Sequence, residues 1–225
     1  MGCYYFNQYY GNLVKKFKSS ESISRNYSAA LQDMFVLTML NGKRNGFFLE
    51  IGAEDAVSEN NTYLLEKYYD WNGISIDIKS SSSESFEEHK RSSYFILSDA
   101  LIIDYKKLFS ERNLDKQIDY LSLDIDPATQ TLDCLKKLPL DDYRFSVITY
   151  ETDFYNKSYG IEKAEEVKQE SREILTSYGY ELVIGNVFEF EDWYVDPRVV
   201  DRELIDSMKR SSEYNHHPIN YLLGR

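Results

Sequence analysis

From Phe47 onward, short apolar runs alternate with stretches of helical periodicity. The apolar runs are Phe47–Ile51, Gly73–Ile78, Tyr94–Leu97, Tyr120–Ile125, Phe145–Tyr150 and Tyr180–Ile184. Most are short and rich in β-branched or aromatic residues, as parallel strands covered on both faces require. Between them, amphipathic patterns predict helices over Asn61–Tyr69, Ser83–Arg91, Tyr105–Arg112, Thr129–Lys137 and Ile161–Tyr178. Right-handed crossovers joining such units give a doubly wound sheet. A further run, Val187–Val195, supplies a last, antiparallel strand. The fold expected is α/β and Rossmann-like, with a mostly parallel seven-stranded sheet and an N-terminal helical extension.

Ahead of the sheet, residues 4–18 mix aromatic and basic residues at roughly helical spacing, and a Ser-rich break follows. Tyr27–Leu40 carries a second apolar period, ended by Asn41-Gly42-Lys43 with Gly42 as a cap. The expected organisation is a helical extension over 1–44, the main domain over 45–197, and a tail over 198–225 packed on that domain. The tail ends near His216-His217-Pro218.

Composition narrows the function classes. At 225 residues with 42% hydrophobic content, the chain has material for one large domain. A formal charge of -12, from 38 acidic against 26 basic residues, repels phosphate backbones, so no nucleic-acid partner is expected. Lys15, Lys16 and Lys18 cluster, but so few charges read as a solvated face. Cys3 and Cys134 are the only cysteines, which excludes a disulfide framework and fits a reducing, cytoplasmic setting. No apolar run reaches membrane-spanning length. Met1-Gly2-Cys3 hints at acylation, yet Phe6 stands where Ser or Thr is needed.

In a doubly wound sheet a ligand sits outside the carboxyl ends of the strands. Those ends carry Glu50, Gly52 and Ala53; Asp77 and Ile78; Asp99 and Ala100; Asp124 and Asp126; and Glu151, Thr152 and Asp153. Gly52 is read as the point where a side chain would obstruct a ligand approaching bare backbone. Asp77 is placed to accept ribose hydroxyls, Asp99 an adenine amino proton, and Asn61 and Thr62 to hold a carboxylate at the next helix start. The turn Gly52-Ala53-Glu54-Asp55-Ala56-Val57 has one glycine and two acids, so it suits a pyrophosphate poorly and makes a dehydrogenase a distant alternative. A sulfonium cofactor with an amino-acid tail, S-adenosylmethionine, fits better.

Several motifs in order resemble the FkbM-like methyltransferases. They are Asn45-Gly46-Phe47-Phe48-Leu49-Glu50-Ile51-Gly52-Ala53, Asn61-Thr62-Tyr63-Leu64-Leu65-Glu66, Trp71-Asn72-Gly73-Ile74, Tyr120-Leu121-Ser122-Leu123-Asp124-Ile125-Asp126-Pro127, Phe145-Ser146-Val147-Ile148-Thr149-Tyr150-Glu151 and Phe190-Glu191-Asp192-Trp193-Tyr194-Val195-Asp196-Pro197. The resemblance runs from about Gln32-Asp33 to Asp196-Pro197. It implies S-adenosylmethionine-dependent methylation of a hydroxyl, often on a sugar or small metabolite. Two departures stand out: Ala56 replaces a glycine, and Thr152 replaces a histidine after the fifth strand. They favour the alternative of a catalytically silent binding module on the same fold. Asp124, Asp126 and Glu151 are the candidate catalytic residues and the candidate ligands of a divalent cation, magnesium or manganese.

Overall fold

The computed structural model describes residues 15–154, 160–212 and Leu222. The predicted helical stretch 4–18 (as far as residue 14), Met1-Gly2-Cys3 and His216-His217-Pro218 lie outside the described residues. The strands are β1 Phe47–Ile51, β2 Asn72–Asp77, β3 Tyr94–Leu97, β4 Gln117–Leu123, β5 Arg144–Glu151, β6 Glu181–Val187 and β7 Glu191–Val195. The helices are α1 Gln32–Met39, α2 Tyr63–Tyr69, α3 Ser80–Glu88, α4 Tyr105–Glu111, α5 Ala128–Leu135, α6 Ile161–Ser177 and α7 Arg202–Ser212. The sheet has seven strands in the order β3-β2-β1-β4-β5-β7-β6. Neighbours run parallel except at β7, which is antiparallel to both β5 and β6. The expected fold class holds, including the antiparallel strand.

Burial explains why the strands read as continuous apolar runs. On one face Phe48, Tyr120, Val147 and Trp193 pack with Phe35 of α1, Leu65 of α2 and Ile205 and Met208 of α7. On the other, Ile51, Ile76, Leu123 and Ile148 pack with Phe109 of α4, Leu132 of α5 and Val167 and Leu175 of α6. A strand covered on both sides has no polar face to present. α7 is further tied to β6 by Arg202 and Lys209, which both pair with Glu181.

Boundaries moved where a polar side chain is satisfied locally. The helix expected over Tyr27–Leu40 begins only at Gln32. The buried Asp33 carboxylate accepts the backbone N–H groups of Tyr27 and Ser28, and Leu31 sits at φ 70, so the chain before it is held out of helix. Residues 15–18 are irregular, with Phe17 inserted into the core. β4 starts three residues before its apolar run, because Asp119 accepts from Lys43 Nζ at 2.6 Å and from Phe47 N at 3.0 Å.

The sheet order reverses between β1 and β4. In sheets of this kind, ligands bind outside the carboxyl ends of the strands at that reversal.

Candidate functional site

The turn after β1 lies at the point where the strand order reverses. Gly52 adopts φ 85, and both Gly52 N and Ala53 N donate to Ile76 O, at 2.9 and 3.1 Å. A Cβ at Gly52 would stand 1.6 Å from the carbonyl oxygen of Asp124. The glycine is therefore demanded by a protein carbonyl and a left-handed backbone, which differs from the ligand-contact reason inferred from sequence. Its effect is to bring the β1 and β4 ends together.

Asp77 closes one side of this turn. Its Oδ2 accepts from Glu54 N at 2.8 Å and its Oδ1 from Lys79 N at 2.7 Å. Each carboxylate oxygen can accept again, so hydroxyl recognition is compatible with this anchoring. Glu54 and Lys79 form an exposed ion pair beside it. The hydrogen bond to Glu54 raises the Lys79 pKa above its ordinary value. Next in the row, Asp99 Oδ1 accepts from Leu101 N at 2.8 Å and caps a short 3-10 turn, Ala100–Ile102. Ile78, Leu97 and Ile102, close to these acids in the chain, are exposed apolar side chains. Large apolar groups standing in water beside carboxylates are a surface that a flat, partly polar ligand covers.

Glu50, Asn61 and Thr62 turn inward instead. Glu50 Oε2 accepts from Thr62 Oγ1 and Ser75 Oγ, both at 2.9 Å. Burial raises its pKa even though the Arg91 guanidinium and these hydroxyls oppose the shift. Asn61 Nδ2 donates to Ser122 Oγ at 2.9 Å, while its Oδ1 is buried without a hydrogen-bond partner. A buried acceptor left unmatched costs about 1–3 kcal/mol, so a ligand donor at this point would be recognised strongly.

The densest chemistry lies at the ends of β4 and β5. There the Asp124 and Glu151 carboxyls are near enough for each to shift the pKa of the other. Burial raises the pKa of both groups, and the Asp124 charge pushes Glu151 further. Two like charges this close disfavour each other's ionisation. Glu151 is 8% exposed and its Oε2 has no hydrogen-bond partner. Asp126, which is exposed, and Asp153, which is buried, offer carboxylate oxygens that lie with one from Glu151 within 4.8 Å of one another. The predicted set of Asp124, Asp126 and Glu151 is thus rearranged. Asp153 joins Asp126 and Glu151, and Asp124 lies outside this group of three. The sequence signal for Asp153 was its place two residues beyond Glu151.

Thr152 is fully buried. Its N–H donates to Phe190 O at 2.6 Å, and its hydroxyl has no hydrogen-bond partner. Glu191 stands opposite Glu151 in the β5–β7 register, held by Gln32 Nε2 at 3.0 Å and Trp193 Nε1 at 2.6 Å. His89 caps α3 on the surface, remote in role from these acids.

No protein-family model matches the chain, and no curated protein matches it in sequence. Solved structures do. A provisionally assigned rRNA methylase from Clostridium thermocellum aligns with a TM-score of 0.53 at 10% identity, over 77% of this chain and 97% of that one. An SAH-bound methyltransferase from Podospora anserina gives 0.48 at 13% identity, over 80% and 82%. A SAM-dependent methyltransferase from Aquifex aeolicus gives 0.47 at 15%, over 73% and 89%. These last two overlaps are too small to argue from. The first establishes fold, and the fold of this chain is the Rossmann-like one found in methyltransferases.

Proposed function

We propose that this chain is an S-adenosylmethionine-dependent O-methyltransferase acting on a hydroxyl of a sugar, a glycan or a small hydroxylated acceptor. The observation that carries the reading is the group of acids at the carboxyl ends of β4 and β5, Asp126, Glu151 and Asp153 with Asp124 beside them against the Gly52 turn. The fold and the FkbM-like motifs support it.

The crevice residues fit the cofactor. Asp77 can take ribose hydroxyls with its remaining lone pairs, and Asp99 an adenine amino group near Ile78 and Ile102. The buried Asn61 Oδ1 suits an ammonium donor. Carboxylates on several sides favour a cationic sulfonium over a pyrophosphate. When bound, S-adenosylmethionine supplies an electrophilic methyl carbon. Asp124 would then accept the acceptor hydroxyl's proton as general base. Holding the two reacting atoms in line supplies roughly 7–11 kcal/mol of the barrier.

The test is incubation with methyl-labelled S-adenosylmethionine and a panel of sugar and small hydroxylated acceptors. Label recovered as a methyl ether, and lost in Asp124→Asn with cofactor affinity kept, is the expected outcome. Cofactor binding with no transfer to any acceptor would favour the silent binding module, the reading to which Thr152 and Ala56 point.

A further inference from the structure

We propose that Asp126, Glu151 and Asp153 form a binding site for one divalent cation, of the hard, oxygen-preferring kind represented by magnesium, manganese and calcium. The inference concerns the same crevice as the methyltransferase reading and rests on it for the role of the ion, but not for its binding.

Two independent observations carry it. The first is the donor set: one carboxylate oxygen from each residue, all within 4.8 Å of one another. Oxygens on opposite sides of a calcium ion are about 4.6–5.2 Å apart, and those of magnesium about 4.0–4.2 Å, so the spacing admits a cation with little or no closure. The second is the Oε2 atom of Glu151, a polar atom on a side chain only 8% exposed that has no hydrogen-bond partner. A buried carboxylate oxygen without a donor is costly, and a cation at the centre of this group would satisfy it.

The arrangement is also open in the right direction. Asp153 and Glu151 are buried, while Asp126 is exposed, so the ion would be held from below and would keep positions for water or an acceptor oxygen. Oxygen donors without sulfur or imidazole select hard ions over zinc or copper.

The full chain should be titrated with Mn2+, then with Mg2+ and Ca2+, by calorimetry, with S-adenosylhomocysteine titrated in parallel. One saturable site per chain is expected. Glu151→Gln and Asp126→Asn should each weaken Mn2+ binding at least tenfold while leaving S-adenosylhomocysteine affinity within twofold. Asp126 is exposed, so Asp126→Asn keeps the test valid if Glu151→Gln fails to fold. Absence of saturable binding of all three ions, in protein that binds S-adenosylhomocysteine, overturns the site. So does Mn2+ binding that survives both variants unchanged. Cation binding without any S-adenosylhomocysteine binding would keep the site and overturn the methyltransferase reading instead.

Discussion

At the scale of single residues, the buried acids set the pH behaviour. Glu191 is 1% exposed, and burial raises its pKa to about 8 against an ordinary 4.5, with the Asp124 and Asp192 charges adding to the rise. Trp193 and Gln32 donate to it and oppose the shift. A carboxyl with a raised pKa is protonated in the folded chain over a range where the unfolded chain has released its proton. Its contribution to stability is therefore complete below about pH 4.5 and is lost as pH rises toward 8. Glu191→Gln keeps the shape and an acceptor for Trp193 but cannot ionise. Chemical denaturation across this window should show a flatter pH dependence for the variant than for the parent chain. Parallel curves would mean that Glu191 keeps an ordinary pKa. The same scale shows that one residue can meet a demand its sequence neighbours do not reveal. Gly52 was legible as a special position, but the Asp124 carbonyl that demands it comes from the end of β4, 72 positions along the chain, and only the folded sheet brings the two together.

At the scale of elements, the strands were legible because both faces of the sheet are buried and the apolar runs are unbroken. β1 and β3 fall where the pattern put them. What stayed hidden were polar residues satisfied over long sequence distances. Asp119 lengthens β4 through Lys43, and Asp33 delays α1 through Tyr27 and Ser28. Arg91 is the largest such case, at the end of the helix predicted over Ser83–Arg91. Its side chain is fully buried. It bonds Glu66 Oε2 at 2.8 Å, Ala56 O at 2.6 Å, Asn60 Oδ1 at 3.1 Å and Thr62 Oγ1 at 2.8 Å. One guanidinium thus joins α2, the end of α3 and the loop that follows the Gly52 turn. Burial pushes the Glu66 pKa up, but Arg91 and the Ser92 N–H outweigh it and hold the group ionised. Arg91→Ala would leave that charge buried and unpaired, at a cost of about 3–5 kcal/mol. Equilibrium denaturation should show a loss of this size. A loss below about 1 kcal/mol would mean that water or loop movement replaces the guanidinium.

At the scale of the whole molecule, the charge distribution discriminates among ligands before any contact forms. A net charge of -12 surrounds a crevice whose strand ends carry Asp77, Asp99, Asp124, Asp126, Glu151 and Asp153. Among the described residues no helix is long and apolar enough to cross a membrane. Where the field of these acids passes through water, salt screens it. S-adenosylmethionine carries a sulfonium in addition to its zwitterionic tail, so its net charge is positive. Its demethylated product has the same shape without that charge. If the acidic crevice selects the cofactor by field as well as by shape, the two ligands must respond differently to ionic strength. At about 0.05 M salt the Debye length is roughly 14 Å, and at about 0.5 M it is roughly 4 Å, so distant carboxylates drop out over this range. The affinity for S-adenosylmethionine should fall roughly threefold or more between these conditions, and that for S-adenosylhomocysteine by less than about twofold. Calorimetric titration of both ligands at the two salt concentrations checks this. Equal salt dependence would assign cofactor recognition to the short-range contacts of Asp77, Asp99 and Asn61 alone. A steeper fall for the neutral product would contradict an acidic binding site altogether.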